Sequence, residues 1–282
     1  VKGEADMEPE KPVVTFGGSL DLDKVSLAYE GLPRKIDDMT CSIAFSEKTL
    51  DIRKMILSIG ASRVDIAGTV DNWMEKPTLA IAAKGNVDIA EAAGAFPLPE
   101  GSTYSGKASF DLAAKGDPAR PESMAVNGSL KLDGVEASMP ETFRHPARID
   151  GTVRVTPTAA TIDNLALKTG PSDLALKGTL TDYLALAFPR EGAQPRFAGT
   201  LSSTKLDLNN LFVPAKKAET TPAEPVSLEQ ILQSLPVPPE LAVAANIGMG
   251  EVLYKKLKAD SVSGALSVHK GVVGLSDLAV KA

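Results

Sequence analysis

An all-β fold follows from three features of this 282-residue chain. Apolar and polar residues alternate with a period of two along most of its length. Clusters of Gly, Pro, Asn and Asp interrupt the alternation about every ten residues. The sequence also repeats itself. Alternation of this kind marks strands with one buried face, and no long helical segments intervene, which argues against a parallel α/β sheet. The expected architecture is an elongated, repetitive antiparallel sheet. It is either curled into a groove or flattened into a sandwich, with one short helix near 227–235.

The strands can be taken in order. "SLDLDKVSL" places Leu20 and Leu22 on one face and Asp21 and Asp23 on the other. Ile43 and Phe45 share a face in the next run, and Val64, Ile66 and Val70 in "ASRVDIAGTV". "KASFDLAAKG" sets Ala108, Phe110 and Leu112 against Ser109 and Asp111, and "GSLKLDGV" carries Leu130 and Leu132. "DGTVRVTP" puts Val153 and Val155 on either side of Arg154. "SDLALKGTL" carries Leu174, Leu176 and Leu180, with Gly178 where another side chain would point. Gly68 has the same place in the earlier run. Glycines inside strands mark bulges or bends, so a repeated bend in the sheet is expected.

The repeat has a fixed spacing. "LSIGASRVDIAGTV" from Leu57 matches "LKTGPSDLALKGTL" from Leu167, with Gly60 opposite Gly170 at an offset of 110 (170 − 60). "GSLDLDKV" from Gly18 matches "GSLKLDGV" from Gly128 at the same offset, with six of eight residues identical. A third copy begins near the C-terminus, where Val262, Gly264, Leu266 and Leu275 answer Ile149, Gly151, Val153 and Ile162 at 113 (264 − 151). The expected organisation is a linker or disordered segment at 1–13, then copies at 14–125 and 126–239, then the start of a truncated third copy at 240–282. Short strands at the turn spacing imply roughly eight to ten per copy, a sheet extended by ~40–48 Å and only ~17–23 Å wide.

Two stretches leave the strand pattern. "PAKKAETTPAEP", residues 214–225, is polar and proline-rich and is expected to be a loop. "SLEQILQSLP" follows, with Leu228, Ile231, Leu232 and Leu235 on one helical face, a Ser227–Gln230 capping box and Pro236 as a stop. Copy one has a shorter piece at this place, "DIAEAAGAFPLP", in which Asp88 can cap a brief turn. Both copies therefore predict the order strand, helical turn, Pro-x-Pro, strand, with the loop added in copy two.

Composition excludes several classes. The chain is 43% hydrophobic, enough for an extensive apolar face, and its net charge of −6 with a pI near 5.1 lacks a nucleic-acid footprint. Lys and Arg are scattered, with no dense basic run for an anionic membrane surface. No stretch approaches the ~20 apolar residues that span a bilayer, and no signal-peptide pattern opens the chain. It starts at Val1 and breaks off inside the third copy, so it is expected to be a piece of a longer protein.

Catalytic and metal-binding patterns are not found. The two histidines, His145 and His269, have no metal-ligand spacing, and His145 in "FRHP" suits a solvated turn. No nucleophile elbow, P-loop or dinucleotide fingerprint occurs. Asp21 and Asp23 belong to a solvent face, and Lys131 replaces Asp21 in the next copy. Asp37, Asp38 and Asp133 are expected to form turns. Cys41, the single cysteine, faces Gly151 across the repeat and is expected to be a structural thiol. Trp73 and Tyr183 match across the repeat and are expected to pack at the sheet end. No enzyme activity, cofactor or metal site is expected.

Repeats suit a long continuous surface better than one catalytic site. The repeated feature here is an aliphatic strand face, with aromatics at only 5%, a lining equally suited to acyl chains and to an ordinary sandwich core. The candidate lipid-binding residues are Leu20, Leu22, Ile43, Phe45, Val64, Ile66, Val70, Phe110, Leu112, Leu130, Leu132, Val153, Val155, Leu174, Leu176 and Leu180.

The run "KTGPSDLALKGTLTDY" followed by "STKLDLNNLF", echoed by Gly60–Asn72 and "NVDIAEAA", resembles the AsmA family, which includes TamB-like bridge-like lipid-transfer proteins. The resemblance covers most of the chain. It implies an elongated periplasmic β structure, held to the inner membrane by a segment outside this fragment. It implies an apolar groove that conducts phospholipid acyl chains between the inner and outer membranes, as part of outer-membrane biogenesis. The implied partners are phospholipid or another acyl-chain lipid, and the membrane, but not nucleic acid. The alternative reading is a non-catalytic structural or assembly β-repeat module of the bacterial envelope.

Overall fold

The computed structural model describes residues 16–28, 35–93, 100–140, 143–211, 238, 240–269 and 271–281. The predicted helix at 227–235, the 214–225 loop and the 1–13 segment lie outside them. The described residues form a 15-stranded sheet. Its strands are β1 Gly17–Leu27, β2 Ile36–Ser46, β3 Thr49–Ile59, β4 Ser62–Asp71, β5 Thr78–Asp88, β6 Thr103–Gly116, β7 Ala125–Ser138 and β8 Ala147–Val155. They continue as β9 Ala159–Thr169, β10 Ser172–Thr181, β11 Arg196–Asp207, β12 Ala242–Tyr254, β13 Leu257–Ala259, β14 Ser261–His269 and β15 Val272–Lys281. Spatial order follows chain order from β1 to β12 and then β14 and β15, with β13 set off the path against β12. Two short helices, α1 Ile89–Ala93 and α2 Leu184–Ala187, sit at the sheet margins. Asp88 Oδ1 accepts hydrogen bonds from the Ala90 and Glu91 amides at 3.0 and 3.3 Å, the predicted cap of the helical turn.

The sheet is a single open layer. Each strand packs against its sheet neighbours, α1 against β5 and β6, and no described element lies across either face. Among the described residues the buried apolar ones are Cys41, six alanines, Phe197, Leu211 and Val268, and the one large side chain fully buried is Pro195. A flattened sandwich would bury its inward-facing Leu and Ile residues between two layers, and here none of the described strand leucines or isoleucines is buried.

Strands are longer and fewer than the turn spacing predicts. Many span 10 or 11 residues, and β6 and β7 span 14. One cause is visible at Asp133, expected to form a turn: it lies inside β7 at a bulge, and Asp37 and Asp38, expected in the same way, lie inside β2. A bulge inserts a residue without ending the strand, so a local irregularity in sequence is not a turn. The bulges recur with the repeat. β1 is irregular between Leu22 and Val25, and β7 between Leu132 and Val135, 110 residues on (132 − 22). β3 is irregular between Ile52 and Met55, with its extra residue matched in β9 between Ile162 and Leu165. β15 carries the third instance between Ser276 and Ala279. At the first of these sites Lys24 (φ 51°) adopts the left-handed backbone that Gly134 (φ 56°) adopts in copy two, where glycine carries no steric cost. Each bulge adds local twist and bend, and repetition turns these into a regular curl.

One strand pair departs from the predicted antiparallel pattern. β11 and β12 are parallel, with Phe197 opposite Val243 and Leu201 opposite Ile247. β12 meets β14 through Val243–Val268, Ala245–Leu266 and Ile247–Gly264, matching Gly128–Val155, Leu130–Val153 and Leu132–Gly151 between β7 and β8. β12 is thus the counterpart of β7. β11 is the counterpart of β5, because Ser62 Oγ accepts from the Asp88 amide at 3.0 Å and Ser172 Oγ from the Asp207 amide at 2.9 Å. Among the described residues nothing answers β6 in copy two. Removing one strand from an antiparallel meander leaves its former neighbours parallel; the strands predicted on either side of the helical turn are present in both copies, while the copy-two helical turn and both Pro-x-Pro pieces lie outside the described residues.

Candidate functional site

Cross-strand partners lie on the same face of a sheet, so the registers fix which side chains share a surface. Starting at Val25, one row runs Met39, Leu57, Val64, Gly85, Phe110, Leu130 and Val153. It continues through Ile162, Gly178, Gly199, Ala245, Leu266 and Leu275, reaching β15. The row meets no polar or charged side chain along the whole strand path. The adjacent row, Leu22, Cys41, Met55, Ile66, Ala83 and Leu112, is equally apolar.

All sixteen candidate residues fall on this face. Leu20 pairs with Ile43, Leu22 with Cys41, and Phe45 faces Gly18. Val64, Ile66 and Val70 line up with Leu57, Met55 and Leu50. Phe110, Leu112, Leu130, Leu132, Val153 and Val155 join one another's rows, and Leu174, Leu176 and Leu180 face Leu167, Leu165 and Ala160. Sequence reasoning missed Leu57, Leu165, Leu201, Ile247 and Met249 on the same surface. Their signal was present, since each stands in a period-2 run.

Burial follows this face. Cys41, Ala108, Ala137, Ala147, Ala160, Phe197, Ala245 and Val268 are the buried apolar residues of the strands, and each belongs to the apolar face by register. With no described layer above it, this burial marks the inside of the curl. The other face carries Asp65, Lys84 and Asp111 as direct cross-strand neighbours, alternating in sign.

Glycines and phenylalanines together keep the inside smooth. A Cβ on Gly85 would stand 3.0 Å from Phe110 Cζ, one on Gly178 2.6 Å from Phe197 Cζ, and one on Gly18 2.8 Å from Phe45 Cζ. Each ring therefore rests against the glycine of a neighbouring strand. Cys41 is a buried member of the wall, and burial, with Asp21 adding to it, pushes its thiol above the ordinary value. That suits the predicted structural thiol, since the thiolate is the reactive form.

The margins of the trough are polar and fixed. Trp73 Nε1 donates to the Ser46 carbonyl at 2.8 Å, and Tyr183 OH to the Thr156 carbonyl at 3.2 Å, an equivalent contact 110 residues on (156 − 46). Towards the other ends of β11 and β12, Lys205 Nζ is 2.6 Å from Glu251, and Lys258 bridges Glu251 and Asp260 at 3.1 and 3.2 Å. Hydrogen bonds from the two lysines hold the Glu251 carboxyl below its ordinary value. Clefts of about 660 Å³ beside Tyr183 and Arg190, and about 590 Å³ between Arg63, Lys84 and Lys131, lie at the margin and on the polar face. The apolar row is an open surface and not a cavity. No group of three His, Cys, Asp or Glu among the described residues could hold a metal ion.

No protein-family model, curated protein or solved structure matches this chain. No described helix is long and apolar enough to cross a membrane.

Proposed function

We propose that this chain is a segment of an envelope lipid-transfer protein of the AsmA type, working in the periplasm. In this reading its apolar β face conducts phospholipid acyl chains between inner and outer membranes. One observation carries the proposal: the apolar row from Val25 to Leu275 crosses the strand path unbroken with no described element over it. At ~4.8 Å per strand the face extends over roughly 60 Å, about twice the ~30 Å hydrocarbon core of a bilayer.

The energetics support the reading. Each buried CH₂ contributes about 0.8 kcal/mol, so a sixteen-carbon chain left in water costs roughly 13 kcal/mol. A wall of Leu, Ile and Val offers an environment close to that of the bilayer, and Phe45, Phe110 and Phe197 each rest against a glycine of a neighbouring strand. The charged headgroup stays at the polar margin, and no catalytic group is needed.

The test is lipid capture by the purified chain. Phospholipid with a fluorescent acyl chain should co-migrate with the protein on a native gel and be displaced by unlabelled phospholipid. Failure to capture any acyl-chain lipid would leave the envelope spacer as the better account.

A further inference from the structure

The two copies differ sharply at one margin of the trough. Between Trp73 and β5 copy one has four residues (77 − 73), and between Tyr183 and β11 copy two has twelve (195 − 183). Asp182 stands where copy one has Asn72, both in left-handed backbone at φ 57° and 51°. Its carboxylate pins the longer connection: Oδ1 pairs with Arg190, and Oδ2 accepts from the Gln194 amide at 3.2 Å. α2, formed by this connection, meets the 3-10 turn Pro121–Ser123 that precedes β7. The cleft of about 660 Å³ lies between them, with Pro157 and Thr158 also in its lining. It adjoins the apolar wall at two strands. Ala125 and Thr181 line it, and their neighbours Val126 and Leu180 stand on the apolar face. Three charged side chains line the cleft, Glu122, Asp182 and Arg190. Asp182 and Arg190 neutralise each other, and Arg190, 43% exposed, keeps further N–H donors for a second acceptor. Glu122, half-buried on the facing turn, has no hydrogen-bond or ion-pair partner among the described residues.

We propose that this cleft is a headgroup subsite for a phospholipid that carries a primary ammonium beside its phosphate. The inference rests on the lipid-path reading and adds to it the class of headgroup. Arg190 takes the phosphate oxygens, as guanidinium groups do. The Glu122 carboxylate, on the opposite wall, accepts N–H bonds from the ammonium. The acyl chains leave the cleft over Val126 and Leu180 and lie on the apolar wall. A few placed polar groups beside an apolar lining are what fixes a ligand's orientation. The charges select the headgroup. An anionic headgroup without an amine would bring its charge up to two carboxylates and one guanidinium. A headgroup with both charges gives Glu122 the partner it lacks and leaves the Asp182–Arg190 pair in place.

The test gives the full chain phosphatidylethanolamine or phosphatidylglycerol with the same fluorescent acyl chain and titrates capture on a native gel. Phosphatidylethanolamine should be held about fivefold more tightly, the scale of one partly exposed ion pair. Glu122→Gln should remove that preference by weakening capture of phosphatidylethanolamine alone. Glu122 has no partner to lose, so the variant should fold as the parent does. Glu75→Gln, on the matching turn of copy one, should leave the preference intact. Free phosphoethanolamine at the lipid's concentration should displace neither lipid. Equal capture of the two lipids, or a preference that survives Glu122→Gln, overturns the headgroup assignment and leaves the lipid path standing. Displacement by free phosphoethanolamine also overturns it, because the cleft would then serve a soluble solute. Capture of neither lipid overturns the assignment and the path together.

Discussion

The two faces of the sheet differ from one residue to the next. On one face Val64, Gly85, Phe110, Leu130 and Val153 cross five adjacent strands without a charge. One position away, Asp65, Lys84, Asp111, Ser129 and Arg154 cross the same five strands with four charges. Both rows have the same backbone and hydrogen bonds. Only the apolar row is drawn to the inside of the curl, and only that side is continuous in chemistry from end to end. The sheet separates an apolar surface from a charged one across the thickness of one layer, with bulges and glycines setting the curvature that makes one side the inside.

The largest expected effect comes from filling a glycine on the inner face. A Cβ on Gly128 would lie 2.0 Å from the Asp111 carbonyl oxygen, a backbone atom that cannot yield, and Gly128 sits at φ 134°. Gly128→Val should cost at least ~3 kcal/mol in urea unfolding. Ser129→Val on the outer face should change stability by less than ~1 kcal/mol. Equal losses at the two positions would break the distinction between faces.

A charge on the inner wall comes next. In a closed core an unpaired charge at Leu176 would be very costly. In the open trough Leu176→Asp should cost only ~1 kcal/mol, the scale of an ordinary point mutation, while abolishing lipid capture. Loss of the folded state, seen by circular dichroism, would mean that the wall is covered. The margin contributes less. Tyr183→Phe removes one hydrogen bond to the Thr156 carbonyl and should cost about 0.5–1.5 kcal/mol in thermal unfolding, without altering lipid capture.

The smallest effect concerns the outer face. Burial opposes ionisation of Asp173, but hydrogen bonds from Thr204 and from the Lys205 amide outweigh it and hold the carboxyl below its ordinary value. A carboxyl depressed on folding stabilises the folded state above the unfolded value, near pH 4, and that contribution is lost as pH falls through the lower folded value. Asp173→Asn should therefore flatten the fall in stability below about pH 4 and leave its slope near neutrality unchanged. An unchanged acid limb would show that these hydrogen bonds do not favour the carboxylate.

The period-2 pattern made the two faces legible before any coordinates, because alternation dictates which side chains share a surface. The repeat fixed Gly68 with Gly178 and Trp73 with Tyr183 for the same reason. Strand length was not legible at the bulge between Leu132 and Val135, where Asp133 resembles a turn former in sequence but lies within β7. The parallel β11–β12 pair was hidden as well. Among the described residues no strand answers β6 in copy two, and no local pattern in β11 or β12 records which strand each will pair with. The resting of Phe110 on Gly85 depends on a register between strands that no local pattern records.

Photo-crosslinking in cells tests the central claim most directly, with a probe at Leu176 on the inner wall and, separately, at Lys177 on the outer face. An open lipid path predicts that phospholipid is labelled from Leu176 and not from Lys177. Equal labelling from both sites, or none from either, would contradict it.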